Sequence, residues 1–437
     1  MAEAVGQSLP TIFALASGSG RGAIAVLRLT GALCGDILRA LCGGPPPPRQ
    51  ASLRKLRDED GDLLDQALVL WFPRPASFTG EDCAELHLHA GRAVIADVGD
   101  RLVQLGAKPA APGEFTRRAF LNGKLDLVEA EGLADLIAAE TAQQRRQALE
   151  QMDGALSRVY RAWAQRLRQI MAWQEALIDF STEDLPAETE TELLDEILRL
   201  QHEIGRHLDD AHRGERLRQG LTFVVAGRPN VGKSSIVNAL VGRDVAIVAA
   251  TAGTTRDAIE VAVEFGGIPV RLVDTAGLRP TEEAVEREGV RRAQAHIAHA
   301  DLVISVRDAT MAPEDDPAAA SANVLRVANK TDLAEALPDE VGVSARTGVG
   351  IGALRDALCH QAMHLAASGT APALTRTRHR SALTDAKVAL DAAANAPFAD
   401  LRGEELRLAL RSVGRITGEV AVDDVLDTIF GQFCIGK

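Results

Sequence analysis

Cysteine is scarce in this 437-residue chain, which has only 5: Cys34, Cys42, Cys83, Cys359 and Cys434. The set is odd in number and scattered, with no C-x-x-C pair. That argues against a disulfide framework and against zinc, and for a reducing compartment. The basic residues of a secretory signal are missing as well. Glu3 stands where such a segment carries Lys or Arg, and the apolar run at 12–16 is too short for a signal core. No stretch stays apolar over the length that a bilayer requires, so a cytoplasmic protein without a membrane segment is expected. Excess positive charge is also lacking. The 48 basic residues face 61 acidic ones, a net charge of −13, which excludes a general electrostatic grip on nucleic acid.

Contact with RNA would therefore need a local basic patch or a partner. Two short runs are candidates, one holding His212, Arg213, Arg216 and Arg218, the other Arg376, Arg378 and Arg380. They flank the same central stretch, so they are expected to lie near each other. Solvated joints between domains are an equal alternative reading of runs this short.

What the chain does have is a phosphate-binding signature. Gly227-Arg-Pro-Asn-Val-Gly-Lys-Ser234 reads G-x-x-x-x-G-K-S. Its glycines let backbone N–H groups close around phosphates, with Asn230, Val231, Gly232 and Ser235 among the contacts expected. Lys233 would reach the β- and γ-phosphates, and the Ser234 hydroxyl would hold Mg²⁺. Alone, this says only nucleoside triphosphate. Downstream, Asn329-Lys-Thr-Asp332 narrows it. Asn329 suits the purine N7, the Lys330 stem lies along the base, and Asp332 suits the exocyclic amine of guanine. Between the two, Asp274-Thr275-Ala276-Gly277 offers a carboxylate to the Mg²⁺ shell and a Gly N–H to the γ-phosphate. Ser344-Ala345-Arg346 adds a base-contacting loop. Together, in this order, the motifs specify GTP.

The context fits. A β-branched run at 221–226 leads into the loop, and a helix is expected to follow it through 235–240. Apolar runs at 257–265 and 268–273 meet at Gly266-Gly267, a hairpin signal. Further strands are expected at 301–306, 324–328 and 340–343. The result is a mostly parallel, doubly wound sheet with one antiparallel edge. Residues 1–120 mix short apolar runs (24–29, 67–72, 85–89) with turns, as a small α/β domain does, and Gly43-Gly-Pro-Pro-Pro-Pro48 is a surface loop within it. From Asp126 the texture turns helical, with Leu127, Ala130, Leu133, Ile137, Leu149 and Leu156 at helical spacing. It returns at 380–394 and 404–416. The expected organisation is an N-terminal domain at 1–122, a helical domain at 123–219 and 373–437, and a nucleotide domain at 220–372 inserted into it.

At this point the chain resembles one family throughout. Ser19-Gly-Arg-Gly-Ala-Ile-Ala-Val-Leu-Arg28, Phe78-Thr-Gly-Glu-Asp82, Pro112-Gly-Glu-Phe-Thr-Arg-Arg-Ala-Phe-Leu-Asn122, Thr251-Ala-Gly-Thr-Thr-Arg-Asp257 and the terminal Phe433-Cys-Ile-Gly-Lys437 are similar to landmarks of the tRNA-modification GTPase family MnmE, in its order. The resemblance implies a multidomain α/β plus α protein: an N-terminal folate-binding and dimerisation domain, a helical domain and an inserted Ras-like P-loop GTPase domain. It implies a homodimer that, in a heterotetramer with an FAD-dependent MnmG-type partner, modifies carbon five of the wobble uridine of certain tRNAs. A 5-formyl- or methylene-tetrahydrofolate would be the one-carbon donor. The family's Thr-Pro-Pro before the first Gly-Arg-Gly is replaced here by Ser17-Gly18-Ser19, and Ala249 and Ala250 stand where relatives often carry Thr or polar residues.

Leu278 follows Gly277 where Ras-like proteins keep a water-orienting Gln, so hydrolysis needs another device. The Asn230 side-chain oxygen could coordinate a monovalent cation against the phosphates, under a loop closing with carbonyl oxygens of Ala249, Thr251 and Thr254. Such a charge replaces an arginine finger, a contribution on the order of 10³-fold. The resemblance makes that cation K⁺, puts Glu286 in the role of general base through a bridging water, and Thr255 beside Mg²⁺. A loop-stabilising role for Asn230 and a solvated helix face for Glu286 are the plainer readings. By resemblance the folate contacts are Arg28, Glu85, Lys124 and Lys437. Cys434 is either a reactive thiol near the folate or an apolar plug packing the tail. Two rivals remain: a ribosome-assembly or regulatory GTPase without modification chemistry, and a folate-dependent one-carbon transferase for which GTP is only a regulator.

Overall fold

The computed structural model describes residues 9–18, 22–179, 187–210, 212–242, 259–274, 294–312, 323–366, 372–420, 423–431, 433 and 436. The chain forms two compact units, Met1–Ala134 with Gly414–Lys437, and Asp135–Val413.

The first unit is built on a sheet of β1 (Ile12–Leu15), β2 (Ile24–Thr30), β3 (Ser52–Arg57), β4 (Leu63–Phe72), β5 (Cys83–His89) and β6 (Lys108–Pro109), in the order β3-β4-β5-β2-β1-β6. Strict alternation sorts its faces. In β5, Ala84, Leu86 and Leu88 are buried while Glu85, His87 and His89 point the other way. The inner face packs under the helices Cys34–Cys42 and Arg92–Gln104, where Ile37, Leu38, Leu41, Val98 and Leu102 meet Leu27, Val69 and Leu86. Each such side chain contributes about 1.5–3 kcal/mol on burial. The C-terminal helix Asp423–Phe430 packs on the helix Glu114–Leu121, with Arg117 paired to Asp427 at 3.1 Å. Phe120, Phe430 and Phe433 meet in series there as tilted ring pairs at centroid distances of 6.2 and 6.0 Å. Gly113 permits the approach, since it takes φ +67° and a Cβ would run into the Phe430 carbonyl.

The second unit holds β7 (Leu221–Ala226), β8 (Ile259–Phe265), β9 (Ile268–Asp274), β10 (Leu302–Asp308), β11 (Val324–Asn329) and β12 (Val341–Gly342), in the order β12-β11-β10-β7-β9-β8. Among the described residues only the β8–β9 pair of this sheet is antiparallel, turning at Gly266 and Gly267 with φ +61° and +84°. This is the predicted sheet with its antiparallel edge. The helix Lys233–Val241 follows β7 and buries Ile236, Val237 and Leu240.

Helices from both sides of that sheet in sequence pack together. Ala187–Leu208 lies against Ala155–Asp179 and against Thr377–Ala394, burying Leu193, Ile197, Leu200 and Ile204. Arg402, in the helix Ala399–Thr417, reaches Glu190 at 3.0 Å and Gln174 at 3.3 Å. Ile137 and Leu149 both lie on helices, as their spacing predicts, and are 41% and 38% exposed, because the pattern does not run through one continuous element. It breaks at Thr141, whose side chain accepts from the Gln144 N–H while Gln144 reaches back, a capping box that starts the separate helix Ala142–Met152. No described helix is long and apolar enough to cross a membrane.

Candidate functional site: a guanine-nucleotide cradle

The loop after β7 is shaped by two glycines. Gly227 takes φ +144° and a Cβ would meet the Val306 carbonyl; Gly232 takes φ +97° and a Cβ would meet the Asn329 amide. No L side chain fits either place, which keeps the loop backbone clear for phosphate oxygens. Asn230, between them, is itself left-handed at φ +63°. Lys233 is buried to 6% exposure and donates from Nζ to the carbonyls of Gly227 and Arg228, each at 2.8 Å. A buried ammonium resting on neutral carbonyls is poised for a stronger, anionic acceptor. Ser234 donates from Oγ to Asp274 Oδ2 at 2.5 Å. Hydroxyl and carboxylate oxygens converging at the start of a helix form the donor set that a hard divalent cation takes.

The base-reading residues stand at the carboxyl end of the same sheet, where ligands bind in this architecture. Asn329, 3% exposed at the end of β11, donates from Nδ2 to the Val231 carbonyl at 2.8 Å and accepts at Oδ1 from the Ala345 N–H at 3.1 Å. Asp332 accepts from Ser344 Oγ at 2.7 Å and from Arg346. The Ser344 hydroxyl and then Arg346 hold its carboxyl below the usual range, so it is an acceptor at neutral pH. The structure thus brings Gly227, Asn230, Val231, Gly232, Lys233, Ser234, Ser235 and Asp274 together with Asn329, Lys330, Asp332, Ser344, Ala345 and Arg346. Ala249, Thr251, Thr254, Thr255, Thr275, Ala276, Gly277 and Glu286 lie outside the described residues.

In the first unit, Arg28 and Glu85 are ladder partners on β2 and β5, joined by Nη2···Oε1 at 2.8 Å. His87 adds a contact to Glu85 Oε2 at 3.3 Å. The Phe78 ring lies 5.9 Å from the Arg28 guanidinium carbon. Lys124 donates to the Pro75 carbonyl at 3.1 Å, beside the same 75–80 loop. A carboxylate for an amino-pterin edge and cations for a glutamate tail are both present, and Arg28 and Glu85 pair with each other. His87 is a neighbour that sequence reasoning missed, and Phe78 entered it only as the first residue of a family landmark. Lys437 and Cys434 lie outside the described residues, but Gly436 between them is placed. Its φ is +96°, and a Cβ would lie 2.5 Å from the Leu15 carbonyl, on the strand whose Ala14 pairs with Arg28.

The two basic runs do meet, and four of their arginines are engaged by acidic side chains. Arg218 and Arg376 both donate to Asp135 Oδ1, at 2.9 and 2.7 Å. Arg380 donates to Asp210 at 2.6 Å and approaches Glu215 at 3.4 Å, and Arg216 pairs with Asp301 at 3.2 Å.

A parallel sheet with a glycine-shaped phosphate loop, a Ser–Asp oxygen pair and an Asn-Lys-x-Asp loop at one edge defines a P-loop GTPase. Two family descriptions match the chain, the GTP-binding protein TrmE N-terminus over residues 11–124 and the MnmE helical domain over residues 127–434. The tRNA modification GTPase MnmE of Gluconacetobacter diazotrophicus is 61% identical over 432 residues, 98% of each chain. Those of Granulibacter bethesdensis and Rhodospirillum rubrum are 51% and 52% identical, each over 98% of this chain and all of the relative. The chain belongs to the MnmE family of tRNA modification GTPases.

Proposed function

We propose that this protein hydrolyses GTP to drive modification of carbon five of the wobble uridine in certain tRNAs. It works as a cytoplasmic homodimer with an FAD-dependent MnmG-type partner and a tetrahydrofolate derivative as one-carbon donor. The observation that carries the GTPase part is the direct tie between the phosphate loop and the base-reading loop through Asn329 and Val231. Family membership carries the tRNA part. In this reading residues 1–122 bind folate and dimerise, residues 123–219 and 373–437 form the helical domain, and residues 220–372 form the GTPase domain.

Lys233 and the loop amides orient the phosphates, and Ser234 with Thr255 holds Mg²⁺. Asn230 and the carbonyls of Ala249, Thr251 and Thr254 hold K⁺. That cation, when bound, supplies the positive charge against the phosphates that an arginine finger supplies elsewhere. Glu286 accepts the proton of the attacking water through a bridging water. Arg28, Glu85, Lys124 and Lys437 hold the folate. The test is the steady-state GTPase rate in KCl against NaCl at equal ionic strength, with Asn230→Ala beside it. A large potassium-dependent increase that the variant loses is expected. Equal rates in both salts would sink the cation-assisted mechanism.

A further inference from the structure

We propose that Asp308 is a positioning residue of the guanine site, which holds Lys330 in place along the base platform. Asp308 ends β10 and is the ladder partner of Asn329 on β11. It is 7% exposed, and its two oxygens have separate duties. Oδ1 accepts from the Thr310 hydroxyl at 2.7 Å and the Thr310 N–H at 3.0 Å. With Oδ1 fixed, Oδ2 faces Lys330 and accepts from its Nζ at 2.5 Å.

The backbone of Lys330 shows why it needs holding. Its φ of +67° is left-handed, uncommon for a residue with a Cβ, and such conformations persist where the surroundings impose them. The imposing bonds are the Ala309 N–H to the Asn329 carbonyl at 2.8 Å and the Thr331 N–H to the Val343 carbonyl at 3.1 Å. They set where the side chain starts. Asp308 sets where it ends. A lysine stem pinned at both ends has little rotamer freedom left to lose, so ordering it is not charged against binding.

Lys233 donates to two loop carbonyls that phosphates can replace. Lys330 is held by an anion rooted in the sheet. Burial favours the neutral carboxyl of Asp308, but the bonds from Lys330 and Thr310 outweigh it and hold the group below the usual range, so it is ionised at neutral pH. At sequence level the only trace is an Asp-x-Thr closing a β-run at the binding end of a parallel sheet.

The inference rests on the guanine-nucleotide reading of the site, and the test keeps the two apart. The affinity of the full-length protein for a fluorescent GDP is measured for the wild type, Asp308→Asn, Lys330→Met and the double variant. Asp308→Asn is expected to weaken binding about tenfold. In the Lys330→Met background the same change should alter affinity by less than about twofold. Equal losses in both backgrounds, or no loss in the Lys330 background, overturn the proposal. If Asp308→Asn fails to fold, Thr310→Ala replaces it, leaving the carboxylate and the backbone N–H bond to Oδ1 but removing the hydroxyl bond. Its expected weakening of about two- to threefold must likewise vanish in the Lys330→Met background. Unchanged or additive behaviour of Thr310→Ala would overturn the proposal too. A wild-type protein that binds no GDP refutes the nucleotide reading itself.

Discussion

Asn329 donates its side-chain amide to the Val231 carbonyl across 2.8 Å, so the loop that reads the base is bonded to the loop that cradles the phosphates. The same Asn329 amide is the atom that a Cβ on Gly232 would strike. Base reading and phosphate holding are therefore one packed unit.

Gly232→Ala tests that coupling. The methyl would meet the Asn329 amide while the backbone stays left-handed at φ +97°. A strained conformation of this kind costs on the order of 1–3 kcal/mol. The strain would displace Asn329, so GTP and GDP affinity should fall together by at least about tenfold. Equilibrium binding of both nucleotides checks it. Affinity within twofold of wild type would mean the loop opens freely.

Asp332→Asn should change which purine binds. The carboxylate accepts from Ser344 and Arg346, and it offers acceptors to the ring N–H and exocyclic amine of guanine. Replacing a charged acceptor by a neutral one weakens the hold on guanine. Asparagine instead offers an N–H, which suits a carbonyl where guanine carries its amine. Competition between GTP and xanthosine triphosphate should favour GTP for the wild type and the xanthine nucleotide for the variant. Retained GTP preference would place base discrimination elsewhere.

Asp135→Ala addresses the joint around the nucleotide domain. Arg218 precedes β7 and Arg376 opens the helix after the domain, and both bond the same carboxylate oxygen. Their side chains are 25% and 12% exposed, so removing the acid leaves two half-buried cations against each other. A loss of about 2–4 kcal/mol is expected in urea unfolding, with Asp135→Asn costing less because it keeps an acceptor. Equal stability of Asp135→Ala and wild type would mean that the arginines find other acceptors.

Much of this was legible before the structure. The run 221–226 becomes β7 residue for residue, and the Gly266-Gly267 signal is the turn of the β8–β9 hairpin. Both are short-range patterns in which the local sequence already dictates the backbone. Asp308 and Asp135 were not legible, because each acts on partners distant in sequence. The basic runs show the limit most clearly. Arg218 and Arg376 read as surface charge until Asp135, from a third segment, is seen between them. The break at Thr141 could have been read, since Thr-x-x-Gln marks a helix start, but continuous apolar spacing hid it.

His207 should make the helical part of the second unit sensitive to mild acid. Its ring meets Trp163 edge-on at 5.3 Å and Tyr160 at 6.0 Å, and its Nε2 is buried without a hydrogen-bond partner among the described residues. Burial pushes its pKa below the usual 6.5; Asp210 opposes this, while His379 and Arg380 reinforce it. A histidine with a depressed folded pKa binds its proton more readily when unfolded. Stability is thus unaffected by this group above about pH 6.5, and is lost as pH falls from there toward the lower folded value. Urea midpoints between about pH 7.5 and 5 should decline for the wild type, and His207→Phe should flatten that slope. The carboxylates Asp65, Asp308 and Glu340, whose pKa values are also lowered, lose their share only below the ordinary carboxylate range, so they do not confuse the reading. An unchanged slope in His207→Phe would assign the acid sensitivity to another group.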